Sequence, residues 1–146
     1  MILLDVNLLL YATDRSAPRH KEARAWLEAV LSSGQEVRLA WVVILAFLRI
    51  STRQGWSGQP ASIDSAFAVV QTWLDHPSVA IAHPGPEHAR ILHRLLRQVG
   101  TAGNLTTDAH IAALAIEHDA ELASADNDFA RFPGLRWRNP LQRPLQ

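Results

Sequence analysis

Ile2 to Leu4 is an unbroken apolar run that stops at Asp5, Val79 to Ala82 is another, and Val37 to Trp41 is apolar but for Arg38. Short runs without alternation predict strands buried on both faces, as in a parallel sheet. Between them the apolar positions change to helical spacing. Asn7 is placed to cap a short helix over Leu8–Ala12. Pro18 is placed to open a second helix, with Ala23, Trp26, Leu27 and Val30 on its inner stripe and Gly34 at its end. Val42 to Thr52 predicts a third helix. Gln54 to Pro60 predicts a loop, and Ser62 is a good cap for a helix running to Leu74. Pro86 is placed to start the next helix, which turns Ala89, Leu92, Leu95, Leu96 and Val99 inward and ends at Gly100 and Gly103. A helix over Thr107–His118 follows, then a strand at Leu122 and Ala123 and a weak one at Leu135–Trp137. Strands alternating with helices of roughly 10 to 15 residues predict a three-layer α/β/α sandwich around a mainly parallel sheet of about five short strands.

The chain has 146 residues, enough for a single domain over 1–146 with a tail at about 139–146. It has no cysteine, which excludes disulfide scaffolds, thiolate metal sites and cysteine nucleophiles. Fourteen bases balance 14 acids, so no global field draws it to nucleic acid or an anionic membrane. The bases are nearly all arginine, with Lys21 the lone lysine. The start, MILLDVNLLLYA, lacks a basic region and is interrupted by Asp5 and Asn7, unlike a signal peptide. The longest apolar stretch, Leu39 to Ile50, carries Arg49 and falls short of the roughly 20 residues a membrane helix needs. These features predict a cytoplasmic protein with no membrane association.

The acids fall at element ends. Asp5 closes the first strand, and Asp126 and Asp128 lie just beyond the strand at Leu122 and Ala123. Open α/β sheets bind ligands beyond the carboxyl ends of their strands. Asp108 begins its helix on the same face as Ile111, Ala112 and Ala115, at spacings of three, four and seven. Three segments can thus bring carboxylates to one sheet edge, where they repel unless protonated or bridged by cations. Oxygen ligands without a His or Cys motif suit Mg²⁺ or Mn²⁺. Taken singly, each acid also serves as an ordinary cap or turn residue. The seven histidines show no HxxxH pair, which argues against zinc.

The segments MILLDVNLLLYA, AWVVILAFLRIST, GNLTTDAHIAALAIEH and ELASADNDFARFPGLRW together resemble the PIN-domain ribonucleases, and most closely the VapC-type toxins of bacterial toxin–antitoxin pairs. The resemblance covers nearly the whole chain. It implies an acid cluster at the end of a parallel sheet that holds one or two divalent cations and cleaves RNA. Asp5 looks like the first acid, Asp108 the third and Asp126 the fourth, with Asp128 assisting. Asn7 resembles the polar residue that orients the first acid, and Ser124 the small hydroxyl residue before the last. The family's second acid, a Glu in a Glu-Phe-Leu-Arg-like segment, is absent: Ala46 stands there in Ala46-Phe47-Leu48-Arg49, and no acid lies between Val37 and Ile63.

Arg49 and Arg53, and more weakly Arg15, are candidates for RNA phosphates. The resemblance also implies a small antitoxin that lays a helix into an apolar groove, and a homodimer. Five tryptophans suggest that some line an interface, with Trp56 and the helices around Trp26 and Trp73 as candidates. Two other acid-at-strand-end classes, receiver domains and aspartate-nucleophile phosphohydrolases, imply a lysine near the phosphate, and Lys21 is badly placed for it. The main alternative is a catalytically weak or inactive PIN fold that binds RNA or protein, because of Ala46.

Overall fold

The computed structural model describes residues 1–53, 59–100 and 103–142. Five short strands form one sheet: β1 (Ile2–Leu4), β2 (Val37–Leu39), β3 (Val79–Ile81), β4 (Glu121–Ala123) and β5 (Trp137–Arg138). Their order is β3-β2-β1-β4-β5, and every pairing is parallel. The helices are α1 (Val6–Thr13), α2 (His20–Ser32), α3 (Trp41–Ser51), α4 (Ile63–Leu74), α5 (His88–Val99) and α6 (Thr106–Glu117). They pack in two groups. One joins α1 to α2 and α3, and α3 to α4; the other joins α5 to α6. With the sheet between them they make the expected three layers. Both β1 and the end of β4 are buried, as the unbroken apolar runs require.

The order of the sheet places a crevice. From β1 the chain builds outward through β2 to β3, then returns to the other side of β1 for β4 and β5. The reversal lies between β1 and β4, and such a switch point opens a cleft at the carboxyl ends of the two strands. The register sets Leu4 beside Ala123, so the next residues along each strand, Asp5 and Ser124, leave the sheet side by side.

Several boundaries differ from those the sequence predicts. Asn7 does not cap the first helix. Asp5 does, accepting from the Val6 N–H at 2.7 Å, and the helix starts two residues earlier. Trp41 is not the end of a strand but the first residue of α3, after an extended Ala40. The last strand is shifted to Trp137–Arg138. Ser62 caps α4 as expected, accepting from the Ser65 N–H at 3.1 Å. Gly100 closes α5 at a φ of 80°, in the left-handed region that favours glycine.

The tryptophans are also redistributed. Trp73 is core, stacked edge-on against Phe47 with ring centroids 4.9 Å apart. Trp26 is half-buried, and Trp56 lies outside the described residues. The large apolar side chains that remain exposed include Trp41, Leu45, Ile63 and Phe67, on α3 and α4.

Candidate metal centre

Asp5 is buried, and three donors converge on its carboxylate. Its Oδ1 accepts from the Val6 N–H, while its Oδ2 accepts from the Ser124 hydroxyl at 2.6 Å and from the Asn7 amide at 3.2 Å. Asn7 thus ties the start of α1 to the end of β4. Its Nδ2 also donates to the Ser124 Oγ, and its Oδ1 accepts from the Ala125 N–H at 3.1 Å. The fully buried Ser124 Oγ in turn accepts from the Asp126 N–H at 3.0 Å. Burial pushes the Asp5 carboxyl up and the nearby Asp126 charge adds to this, while Ser124, Val6 and Asn7 pull it back.

Asp126 caps the 3₁₀ turn at Asn127–Arg131, accepting from the Asp128 N–H at 2.9 Å. That turn brings Asp128 back toward α6. Asp108 is half-buried in the first turn of α6, on the inward face with Ile111, Ala112 and Ala115. One carboxylate oxygen from each of Asp108, Asp126 and Asp128 lies within 4.8 Å of the others. Asp5 stands outside this threesome, its oxygens already engaged, yet its charge is felt at Asp108. The Asp108 carboxyl is pushed up to about 6, first by burial and then by Asp126, Asp5 and Asp128.

Among the described residues, no cationic side chain figures among the influences on Asp5 and Asp108. The donor set is all oxygen, close-set and anionic, and it fits a hard divalent cation. Asp128 thus stands with Asp108 and Asp126 in the close-set group, and Asp5 stands beside it with both carboxylate oxygens hydrogen-bonded.

The arginine candidates are scattered. Arg49 and Arg53 are exposed at the end of α3 and just past it. Arg15 stands at the opposite end of α1 from Asp5, in the wall of a cleft of about 480 Å³ that also involves Thr13, Phe47, Ser51 and Val69. An eight-residue helix spans about 12 Å, so that cleft is separate from the acids. Ala46 is half-buried on α3.

Two features carry no mark in the sequence pattern. His88 Nε2 meets His110 Nδ1 at 2.9 Å, joining the start of α5 to α6. Burial, then the neighbouring His88, lowers the His110 pKa. The two are 22 positions apart with no motif, so no local signal reveals them. Glu117 accepts from the Gly85 and Glu87 N–H groups at 2.7 and 2.8 Å. Desolvation opposes the shift, but these two donors, with His88 and His118 nearby, hold its carboxyl below the usual range. A Cβ at Gly85 would lie 2.6 Å from a Glu117 carboxylate oxygen, so a larger residue there would make the Glu117 side chain shift.

Comparisons with known proteins agree on the family and the fold. The family model described as PIN domain matches residues 2–135. Ribonuclease VapC37 of Mycobacterium tuberculosis is 44% identical over 140 residues, covering 96% of this chain and 97% of the relative. Ribonuclease VapC33 of the same species is 42% identical over 142 residues, covering 97% and 99%. Among solved structures, a chain of VapBC2 from Rickettsia felis, bound to a promoter DNA fragment, superposes with a TM-score of 0.70 at 19% identity, covering 95% of this chain and 98% of that one. VapC20 of Mycobacterium tuberculosis, described as a sarcin-ricin loop cleaving toxin, gives 0.67 at 16% identity, covering 93% and 99%. At these identities the structural likenesses speak for the fold.

Proposed function

The chain belongs to the PIN-domain family, and we propose that it is a VapC-type toxin, an endoribonuclease that cleaves RNA phosphodiester bonds at the carboxylates of Asp108, Asp126 and Asp128, with Asp5 fixed behind them. Its relatives at 44% and 42% identity are named ribonucleases. PIN ribonucleases are metal-dependent, and the proposed ion is Mg²⁺ or Mn²⁺. The observation that carries the reading is the gathering of Asp108, Asp126 and Asp128, one carboxylate oxygen of each within 4.8 Å of the others, with burial and these neighbours pushing the Asp108 carboxyl up. Unpaired carboxylates gathered at a strand-end crevice are costly unless a cation is to be held there.

When bound, the cation supplies Lewis-acid polarisation of a phosphodiester oxygen and a water of lowered pKa. The chain's own residues do the positioning. Ser124 and Asn7 lock the Asp5 carboxylate and, through the Asp126 N–H, fix the start of the turn that presents Asp126 and Asp128. Asp108 comes from α6, so the site closes only when both segments are in place. Arg49 and Arg53, exposed near the end of α3, are assigned to RNA phosphates. Arg15, beyond the far end of α1, is the weaker candidate for the same role.

A second reading has one observation behind it. Ala46 stands where the resemblance places a glutamate, and no acid occurs between Val37 and Ile63. On that reading the fold binds RNA or protein without cutting. The deciding experiment is cleavage of RNA by the full chain with Mg²⁺ or Mn²⁺. Metal-dependent cleavage that disappears in Asp126→Asn supports the nuclease. Binding without cleavage supports the module.

The whole chain is proposed as one catalytic unit acting in the cytoplasm. Among the described residues no helix is long and apolar enough to cross a membrane. Its proposed partners are a cognate antitoxin and a second copy of itself. Exposed Trp41 and Leu45 on α3, with Ile63 and Phe67 on α4, offer apolar area for such contacts.

A further inference from the structure

We infer that the outer face of α5 is a phosphate track that delivers single-stranded RNA to the acid cluster. This rests on the ribonuclease reading and names where its substrate lies. Arg90, Arg94 and Arg97 recur at spacings of four and three, so they form one stripe along the helix. His93 and Gln98 flank them, and the five side chains line a shallow groove of about 500 Å³ whose lining includes no carboxylate. The opposite face buries His88, Ile91 and Leu95, which fixes the stripe outward.

Arg90 is paired with Glu87 at 2.5 Å. Arg94 and Arg97 are exposed and have no acidic partner among the described residues. In a chain whose bases and acids cancel, this is a local surplus of positive charge.

The stripe also lies where a nuclease needs it. α5 packs along α6, and six residues, 100–105, join the end of one to the start of the other. Arg97 is in the last turn of α5 and Asp108 in the first turn of α6, so the basic stripe runs toward the acids. A clustered set of carboxylates repels a polyanion, and a strand of RNA reaches it only if cations flank the approach. Guanidinium groups suit this, because each grips a phosphate through paired N–H donors. Flanking an anionic cleft favours an RNA strand over an acidic protein, which would have no reason to approach the acids.

The test is fluorescence anisotropy of the full chain with a labelled single-stranded RNA of about 20 nucleotides in EDTA, across a range of salt. EDTA removes cleavage from the measurement. Each phosphate contact on a single strand contributes about 0.7 to the slope of log affinity against log salt. R94Q/R97Q is expected to flatten that slope by about 1.4, while R94K/R97K keeps most of it. The single variants Arg94→Gln and Arg97→Gln are expected to flatten it by about 0.7 each, and they decide the matter if the double variant does not fold. Wild-type affinity and slope in the glutamine variants overturn the track. So does displacement of polyglutamate, but not RNA, by these substitutions, which would assign α5 to an acidic protein. If wild type binds RNA but never cuts it with Mn²⁺, the nuclease reading fails while the slopes still judge the track.

Discussion

The Ser124 hydroxyl donates to Asp5 Oδ2 at 2.6 Å, although the two residues are 119 positions apart. The contact follows from the register, which ends β1 and β4 level with each other. Ser124 is fully buried and also accepts from Asn7 and Asp126, so one hydroxyl serves three other residues. Replacing it by alanine strands the Asp126 N–H and removes a donor that restrains the Asp5 pKa. Ser124→Ala is expected to lower stability by about 1–3 kcal/mol in urea unfolding. A loss too small to measure would mean that water takes over the role of the hydroxyl.

Asp108 makes the metal-free protein more stable in mild acid. Its carboxyl has a folded pKa of about 6 against an ordinary 3.8, so the native state holds a proton that the unfolded chain releases. The resulting stability is full below about pH 4 and is lost as pH rises through about 6. Melting curves in EDTA will show the Tm at pH 5 minus that at pH 7.5 smaller in Asp108→Asn than in wild type. An unchanged difference in the variant would place the effect elsewhere.

Divalent cation reverses the penalty. Mn²⁺ is expected to raise the Tm of wild type in proportion to the log of its concentration above Kd. Asp126→Asn without metal should be neutral or stabilising, because it removes one of the like charges beside Asp108. The same variant should lose both the Mn²⁺ shift and RNA cleavage. Unfolding of Asp126→Asn in EDTA, with no Mn²⁺ response in wild type, would make the acids structural.

Ala46→Glu restores a carboxylate where the family resemblance places one. It is expected to tighten Mn²⁺ binding about tenfold, or about 1.4 kcal/mol, in isothermal titration. Ala46→Gln, of similar volume and no charge, should leave the affinity unchanged. Equal affinity in wild type and Ala46→Glu would mean that position 46 does not reach the ion, or that Asp128 already fills the place.

The sequence makes legible what depends on neighbours along the chain. The inward position of Asp108 follows from its spacing to Ile111, Ala112 and Ala115, all buried. Ile2–Leu4 reads as a central strand because nothing polar interrupts it. A polar residue before an apolar helix looks like a cap, and this misassigns Asn7, whose amide is satisfied across the fold at Ser124 and Ala125. Val37–Trp41 is apolar but for Arg38, so Trp41 reads as strand, and only the structure shows that the helix begins there, after an extended Ala40. Spacing alone ranks Asp128 below Asp126, because it does not reveal a 3₁₀ turn folding back on α6. The His88–His110 contact has no local signature of any kind.

The sheet order also sets a timetable. β1 is made first, but its neighbour β4 and the residues that complete the crevice, Ser124, Asp126 and Asp128, are made almost last. At about 5–20 residues per second a ribosome needs about 6–24 s to pass from Asp5 to Ser124. Throughout that interval the nascent chain carries only part of the acid cluster, and the gathering of Asp108, Asp126 and Asp128 becomes possible only when the last two have been made. A chain stopped before Glu121 has its other strands on one side of β1 and lacks both Asp126 and Asp128.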